Sequence, residues 1–122
     1  VLLVDDEPLN LDVGKRALEL HGYRVLTSQN GVEALELFQA NQETIALLLT
    51  DVMMPRMDGK ALAAAVWKIR RKLPVIFMSG LNDPVRSSEA EGGAFLEKPF
   101  TVSSLVAAVR RALQRPPERP VP

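Results

Sequence analysis

An α/β doubly wound sandwich, a parallel five-stranded sheet with helices on both faces, is the fold class this sequence predicts. Short apolar runs alternate with amphipathic stretches five times along the 122 residues. The central runs are apolar on both faces, as strands inside parallel sheets are. A hydrophobic content of 47% is enough for one well-buried core.

The elements follow in order. Residues 1–4 form a continuous apolar run ended by Asp5 and Asp6. A helical stretch covers about residues 9–20, and His21-Gly22 turns the chain where glycine suits a helix C-terminus. A second strand is expected over about residues 23–27. Asn30-Gly31 then breaks the chain before a helix carrying Ala34, Leu35, Leu37 and Phe38, and residues 45–49 read as a buried strand. Asp58-Gly59 can cap a helix with Leu62, Ala65, Val66 and Ile69 on its inner side. Residues 75–78 repeat the buried-strand pattern, and a short helix can start near Pro84. Residues 94–96 supply the fifth strand. The last helix begins near Thr101 and turns Val102, Leu105, Val106, Val109 and Leu113 inward. Right-handed crossovers between such strands favour the flavodoxin-like order 2-1-3-4-5. The domain is expected over residues 1–114. Residues 115–122 hold four of the nine prolines and read as an extended tail or linker.

Composition narrows the function. Fifteen basic and fifteen acidic side chains cancel, so no overall field favours nucleic acid or acidic lipid. The absence of cysteine removes disulfides, thiol catalysis and thiolate metal sites. No apolar stretch approaches the roughly 18 residues that span a bilayer, and no signal-peptide pattern opens the chain. A soluble, cytoplasmic protein without membrane insertion is expected. A chain that opens at Val1 directly in a strand also reads as a piece of something longer.

The chemistry lies at the strand ends. Asp5 and Asp6 follow the first run, Asp51 the third, Ser79 the fourth and Lys98 the fifth. In a parallel sheet these carboxyl ends share one edge, where open α/β sheets place ligands. Three carboxylates, a hydroxyl and an ammonium around one small pocket suit a divalent cation plus a phosphoryl group. Any one of these residues alone has an ordinary reading as a turn, cap or surface charge; together, in order, they do not.

Four motifs carry a family resemblance: Val4-Asp5-Asp6-Glu7-Pro8, residues 50–59 (TDVMMPRMDG), Phe77-Met78-Ser79-Gly80, and residues 95–100 (FLEKPF). From Val1 to about Leu113 the chain resembles the receiver domain of two-component response regulators. The resemblance implies that Asp51 accepts a phosphoryl group from a histidine kinase or phosphotransfer protein. A carboxylate is a weak nucleophile until charge on the incoming group is neutralised. Mg²⁺, with Mn²⁺ as a substitute, would supply that neutralisation, held by Asp6, Asp51 and the Met53 backbone carbonyl. Asp5 would act through a water or orient Asp6. Lys98 would reach the phosphate and Ser79 would hydrogen-bond it, with room left by Gly80. The family pattern also implies a cis Lys98-Pro99 peptide and a tuning of phosphoryl lifetime by Met53 and Leu81. Phe95 takes the place of the aromatic residue that turns inward on activation, altering the surface of the helix near Pro84, the fifth strand and the last helix.

Such a domain catalyses only its own phosphorylation and dephosphorylation and is not a conventional enzyme. The motifs around Asp51 and Ser79 look like those of receivers linked covalently to hybrid sensor kinases; a single-domain receiver or an excised regulator domain would read almost the same. An aspartyl-phosphate hydrolase of the haloacid-dehalogenase type would need a second acid where Met53 stands. A non-phosphorylated binding module would be expected to lack an acid, the hydroxyl or the lysine. Met53, Met54 and Met57 read as packing under their loop, and His21 as an exposed helix-end residue. Trp67 is expected to project away from the core, either over neighbouring stems or as a contact surface. Arg110, Arg111 and Arg115 suit a solvated helix end, with no role for nucleic acid.

Overall fold

A computed structural model describes residues 1–54, 56–80 and 94–114. Its elements are β1 (Leu2–Val4), α1 (Pro8–Leu20), β2 (Leu26–Ser28), α2 (Gly31–Ala40), β3 (Leu48–Asp51), α3 (Gly59–Ile69), β4 (Val75–Ser79), β5 (Ala94–Glu97) and α4 (Val102–Gln114). The strands pair in parallel in the order β2-β1-β3-β4-β5, as expected. The expected helix near Pro84, Leu81 and the tail 115–122 lie outside the described residues.

Alternation along each strand divides the core in two. Leu2, Val4, Leu48, Val75 and Phe77 face α2 and α3, where Ala34, Phe38, Leu62, Ala63 and Val66 cover them. Leu3, Leu49, Ile76, Met78 and Leu96 face the other way, under Leu11, Ala17 and Leu18 of α1 and Leu105, Val106 and Val109 of α4. The register sets Val4 beside Thr50, Asp51 beside Met78 and Ser79 beside Glu97. Every polar strand end therefore reaches the same edge of the sheet.

Local chemistry sets the helix boundaries. Pro8 opens α1, where its missing N–H costs nothing. Asn30 Oδ1 accepts from the Glu33 N–H at 2.8 Å, and Asp58 Oδ1 from the Ala61 N–H at 2.8 Å. Gly22 has φ of +92°, a backbone state that a side chain would strain. Among the described residues no helix is long and apolar enough to cross a membrane.

Several sequence expectations shift. The second strand starts at Leu26 rather than near Tyr23, because Tyr23 and Val25 pack into the α1–α4 core before pairing begins. The third starts at Leu48, although Ile45 and Leu47 are already buried. Val102 is 47% and Leu113 38% exposed. At 13 residues, α4 runs to about 20 Å, longer than the four-residue β5 at about 13 Å, so its ends overhang the sheet.

Trp67 is the largest correction. The buried stripe of α3 is Gly59, Leu62, Ala63 and Val66, a phase that turns Ile69 outward and brings Trp67 in. The half-buried indole packs against the core, and its N–H donates to the Leu73 carbonyl at 2.9 Å.

Candidate functional site

The pocket at the carboxyl edge is assembled from separate pieces of chain. Asp5 lies just past β1 and is 1% exposed; Asp51 ends β3 and is 7% exposed. Asp5, Asp6 and Asp51 each offer an oxygen within 4.8 Å of the other two. Lys98 follows β5, and its Nζ stands 3.1 Å from Asp51 Oδ2 and 3.3 Å from Asp5 Oδ2. The Lys98 backbone N–H donates to the Ser79 carbonyl at 2.8 Å, which extends the β4–β5 ladder and aims the ammonium across the pocket. The Lys98–Pro99 peptide is cis, as the sequence reading anticipated.

Asp5 is held by its own chain as well. Its Oδ1 accepts from the Glu7 N–H at 2.9 Å, and its Oδ2 accepts from the Asn10 side-chain amide at 3.3 Å. A carboxylate placed there also faces the positive end of α1. The Ser79 hydroxyl oxygen is buried and finds no hydrogen-bond partner among the described residues. Buried polar groups are normally satisfied, so an unsatisfied hydroxyl beside clustered acids has the character of a waiting ligand contact. Gly80 adds no bulk: a Cβ there would meet nothing within 4 Å among the described residues.

Charge in the pocket is poised. Burial raises Asp51 from its ordinary 3.8 to about 6; Lys98 opposes this rise, while Asp5 and Asp6 reinforce it. Burial works against the charge on Lys98, yet Asp51 and Asp5 outweigh it and hold the ammonium above its usual range. Among the described residues Lys98 pairs with two of the three carboxylates, Asp51 and Asp5, and a hard divalent ion with oxygen ligands suits the remaining negative charge.

The expected site residues Asp5, Asp6, Asp51 and Lys98 are thus brought together, with Ser79 on the adjoining strand end. Met53 sits on the loop two residues beyond Asp51. Its side chain is 57% exposed and does not pack under the loop as expected, whereas Met54 and Met57 do contact the core. Phe95 is half-buried, its ring 5.5 Å from that of Phe77 and tilted by 37°. His21 is exposed at the end of α1, with its Nδ1 3.0 Å from the Ala17 carbonyl.

Two contributors escape the sequence reading. Asn10 looks like an ordinary first-turn helix residue, and only its reach back to Asp5 singles it out. Gly59 reads as half of an Asp-Gly cap. Its α-carbon lies so close to the Asp51 backbone that a Cβ would collide with the Asp51 carbonyl and meet the Val52 α-carbon at 3.1 Å.

Known proteins resemble this chain in sequence and fold. Residues 1–110 match the family described as the response regulator receiver domain. The sensor kinase CckA of Brucella abortus is 35% identical over 118 residues, covering 94% of this chain and 12% of its own length. The response regulator MprA of Mycobacterium sp. (strain KMS) is 34% identical over 118 residues, covering 94% of this chain and 50% of its own. The chain therefore spans at most about half the length of these curated relatives. A crystal structure of a response regulator receiver domain protein from Clostridium thermocellum superposes with a TM-score of 0.86 at 32% identity, covering 93% of this chain and 92% of that one. With sequence match, strand order and acidic pocket in agreement, this chain belongs to the response regulator receiver domain family.

Proposed function

We propose that Asp51 is the phosphoacceptor, taking a phosphoryl group from a phosphohistidine on a histidine kinase or phosphotransfer protein in the cytoplasm. One observation carries the reading: the Lys98 ammonium already stands within 3.3 Å of both Asp51 and Asp5, where charge on the incoming group would gather. An Asp51 carboxylate oxygen attacks phosphorus; the O–P bond forms, the donor P–N bond breaks, and its electron pair leaves with the imidazole. With a pKa of about 6, Asp51 is mostly ionised at neutral pH and so competent to attack. Bound by Asp6, Asp51 and the Met53 carbonyl, with Asp5 acting through a water or by orienting Asp6, Mg²⁺ or Mn²⁺ would neutralise phosphoryl charge. Lys98 pairs with a phosphoryl oxygen as a compact point charge. The Ser79 hydroxyl, which has no partner among the described residues, donates to another.

The signal follows from that last contact. Drawing Ser79 toward the phosphate changes the end of β4, and Phe95, its ring tilted against that of Phe77 one strand away, repacks with it. Without a hydroxyl, Phe95 switches by packing alone, as a shift between two populations. The likeness to the Brucella sensor kinase supports a receiver linked covalently to kinase domains, acting as a relay; the domain would span residues 1–114, with 115–122 as a tail.

Incubation with Mg²⁺ and a small acyl phosphate, followed by intact-mass measurement, tests the assignment. Wild type should gain one phosphoryl group and Asp51→Asn none. Uptake by the variant, or none by wild type, would overturn it, the second outcome favouring a binding module. Phe95→Ala should still take up the phosphoryl group while narrowing the difference in partner affinity between the two states.

A further inference from the structure

Asp5 is almost completely buried, and among the described residues three donors hold its carboxylate. The Glu7 backbone N–H serves Oδ1, whereas Lys98 Nζ and Asn10 Nδ2 both serve Oδ2, each at 3.3 Å. Two of these come from the N-terminus of α1, and Lys98 comes from the far side of the sheet. The three differ in permanence. Lys98 also holds Asp51 Oδ2 at 3.1 Å, so anything that adds negative oxygen at Asp51 competes for the same ammonium. The backbone donor is fixed but reaches only Oδ1. Among the described residues Asn10 is the donor to Oδ2 that such an event leaves in place.

We propose that Asn10 is a positioning residue: its side-chain amide keeps the Asp5 carboxylate aimed into the pocket when Lys98 turns toward a phosphoryl group. This inference rests on the reading of Asp51 as phosphoacceptor. Asn10 touches neither the reacting atoms nor the proposed cation ligands Asp6 and Asp51; it acts through Asp5. Its chemistry fits the task. It stands at the third helical position of α1, where an acid commonly reaches back toward the helix start. An acid here would face Asp5 with like charge, whereas an amide supplies a neutral donor. Asn is also a weaker helix former than Ala or Leu, so helix stability does not account for its presence.

The test separates positioning from scaffolding. Asn10→Ala and Asn10→Leu remove the donor while improving helix propensity, so the melting temperature of the metal-free protein should hold or rise. Calorimetric titration with Mg²⁺ should show dissociation constants raised by about fivefold, the weight of one modest hydrogen bond. The Mg²⁺ concentration giving half-maximal labelling by an acyl phosphate should rise in parallel, with excess Mg²⁺ restoring most of the rate. Asn10→Gln, which keeps an amide on a longer stem, should recover part of the affinity. Unchanged Mg²⁺ affinity in Asn10→Ala and Asn10→Leu, with wild type still binding the ion and taking up phosphoryl, would overturn the role of Asn10 alone. A wild type that neither binds Mg²⁺ nor takes up phosphoryl would overturn the Asp51 reading and this inference together.

Discussion

The two edges of the sheet treat polar groups in opposite ways. At the amino edge they are used up. Arg70 donates to the Gln42 carbonyl at 2.8 Å and to the Ile45 carbonyl, tying the end of α3 to the entry of β3. The Trp67 indole donates to Leu73, the Val1 nitrogen to Arg24, and the Leu48 N–H to the Pro74 carbonyl. At the carboxyl edge polarity is left over. Three carboxylates cluster while the Lys98 ammonium reaches Asp5 and Asp51, Asp51 is pushed up by burial, and the Ser79 hydroxyl has no partner among the described residues. One edge stabilises the fold, and the other holds groups whose partners arrive from outside.

The most damaging change should fall where the two demands meet, behind Asp51. A Cβ on Gly59 collides with backbone, which cannot swing aside as a flexible side chain would. Gly59→Ala should therefore cost about 3 kcal/mol despite the better helix propensity of alanine, as overpacking against a fixed neighbour does. Denaturant unfolding would measure the loss, and phosphoryl uptake should fall with it because the Asp51 carbonyl moves. A stable, fully active variant would mean that α3 can slide away from β3, and that the carboxyl edge is less tightly built than its geometry suggests.

Removing the leftover charge should have the opposite sign. A carboxyl raised to about 6 in the folded protein holds its proton more tightly there than in the unfolded chain. Its contribution thus favours folding at low pH, and that advantage is lost as pH rises from about 4 through about 6. Without Mg²⁺, Asp51→Asn should stabilise the protein at pH 7, by an amount bounded on the order of 3 kcal/mol. At pH 4 the gain should nearly vanish, since wild-type Asp51 is then protonated. Mg²⁺ should stabilise wild type at pH 7 far more than the variant, and its affinity should weaken as pH falls below about 6. Melting curves across this range would check all three signs; a variant that is less stable at pH 7 would show that the ion pair with Lys98 outweighs burial.

The contrast between the edges was only half visible in the sequence. Strand ends marked by Asp5, Asp6, Asp51, Ser79 and Lys98 are local patterns, and parallel pairing carries them to one place without further information. Asn10 and Gly59 act through contacts whose meaning depends on the path of the backbone, and composition carries no trace of that path. At the amino edge the difficulty was one of phase. An apolar Ile69 drew the inner stripe of α3 about a sixth of a turn out of place, which moved Trp67 to the surface. The boundaries of β2 and β3 shifted for a related reason, because burial begins before pairing does.

Trp67 supplies the mildest test. Trp67→Phe keeps most of the apolar contact and removes one donor from the Leu73 carbonyl, so stability should fall by about 1 kcal/mol. The residue stands at the amino end of the sheet, away from every group in the pocket, so Mg²⁺ affinity and acyl-phosphate labelling should stay at wild-type values. Denaturant unfolding and intact-mass labelling on the same sample would separate the two effects. If labelling dropped while stability held, the edges would be coupled through α3, whose first residue, Gly59, abuts Asp51 and whose last turn carries Trp67. A helix that rigid would transmit a change at either end to the other, and the division between a stabilising edge and a reactive one would have to be given up.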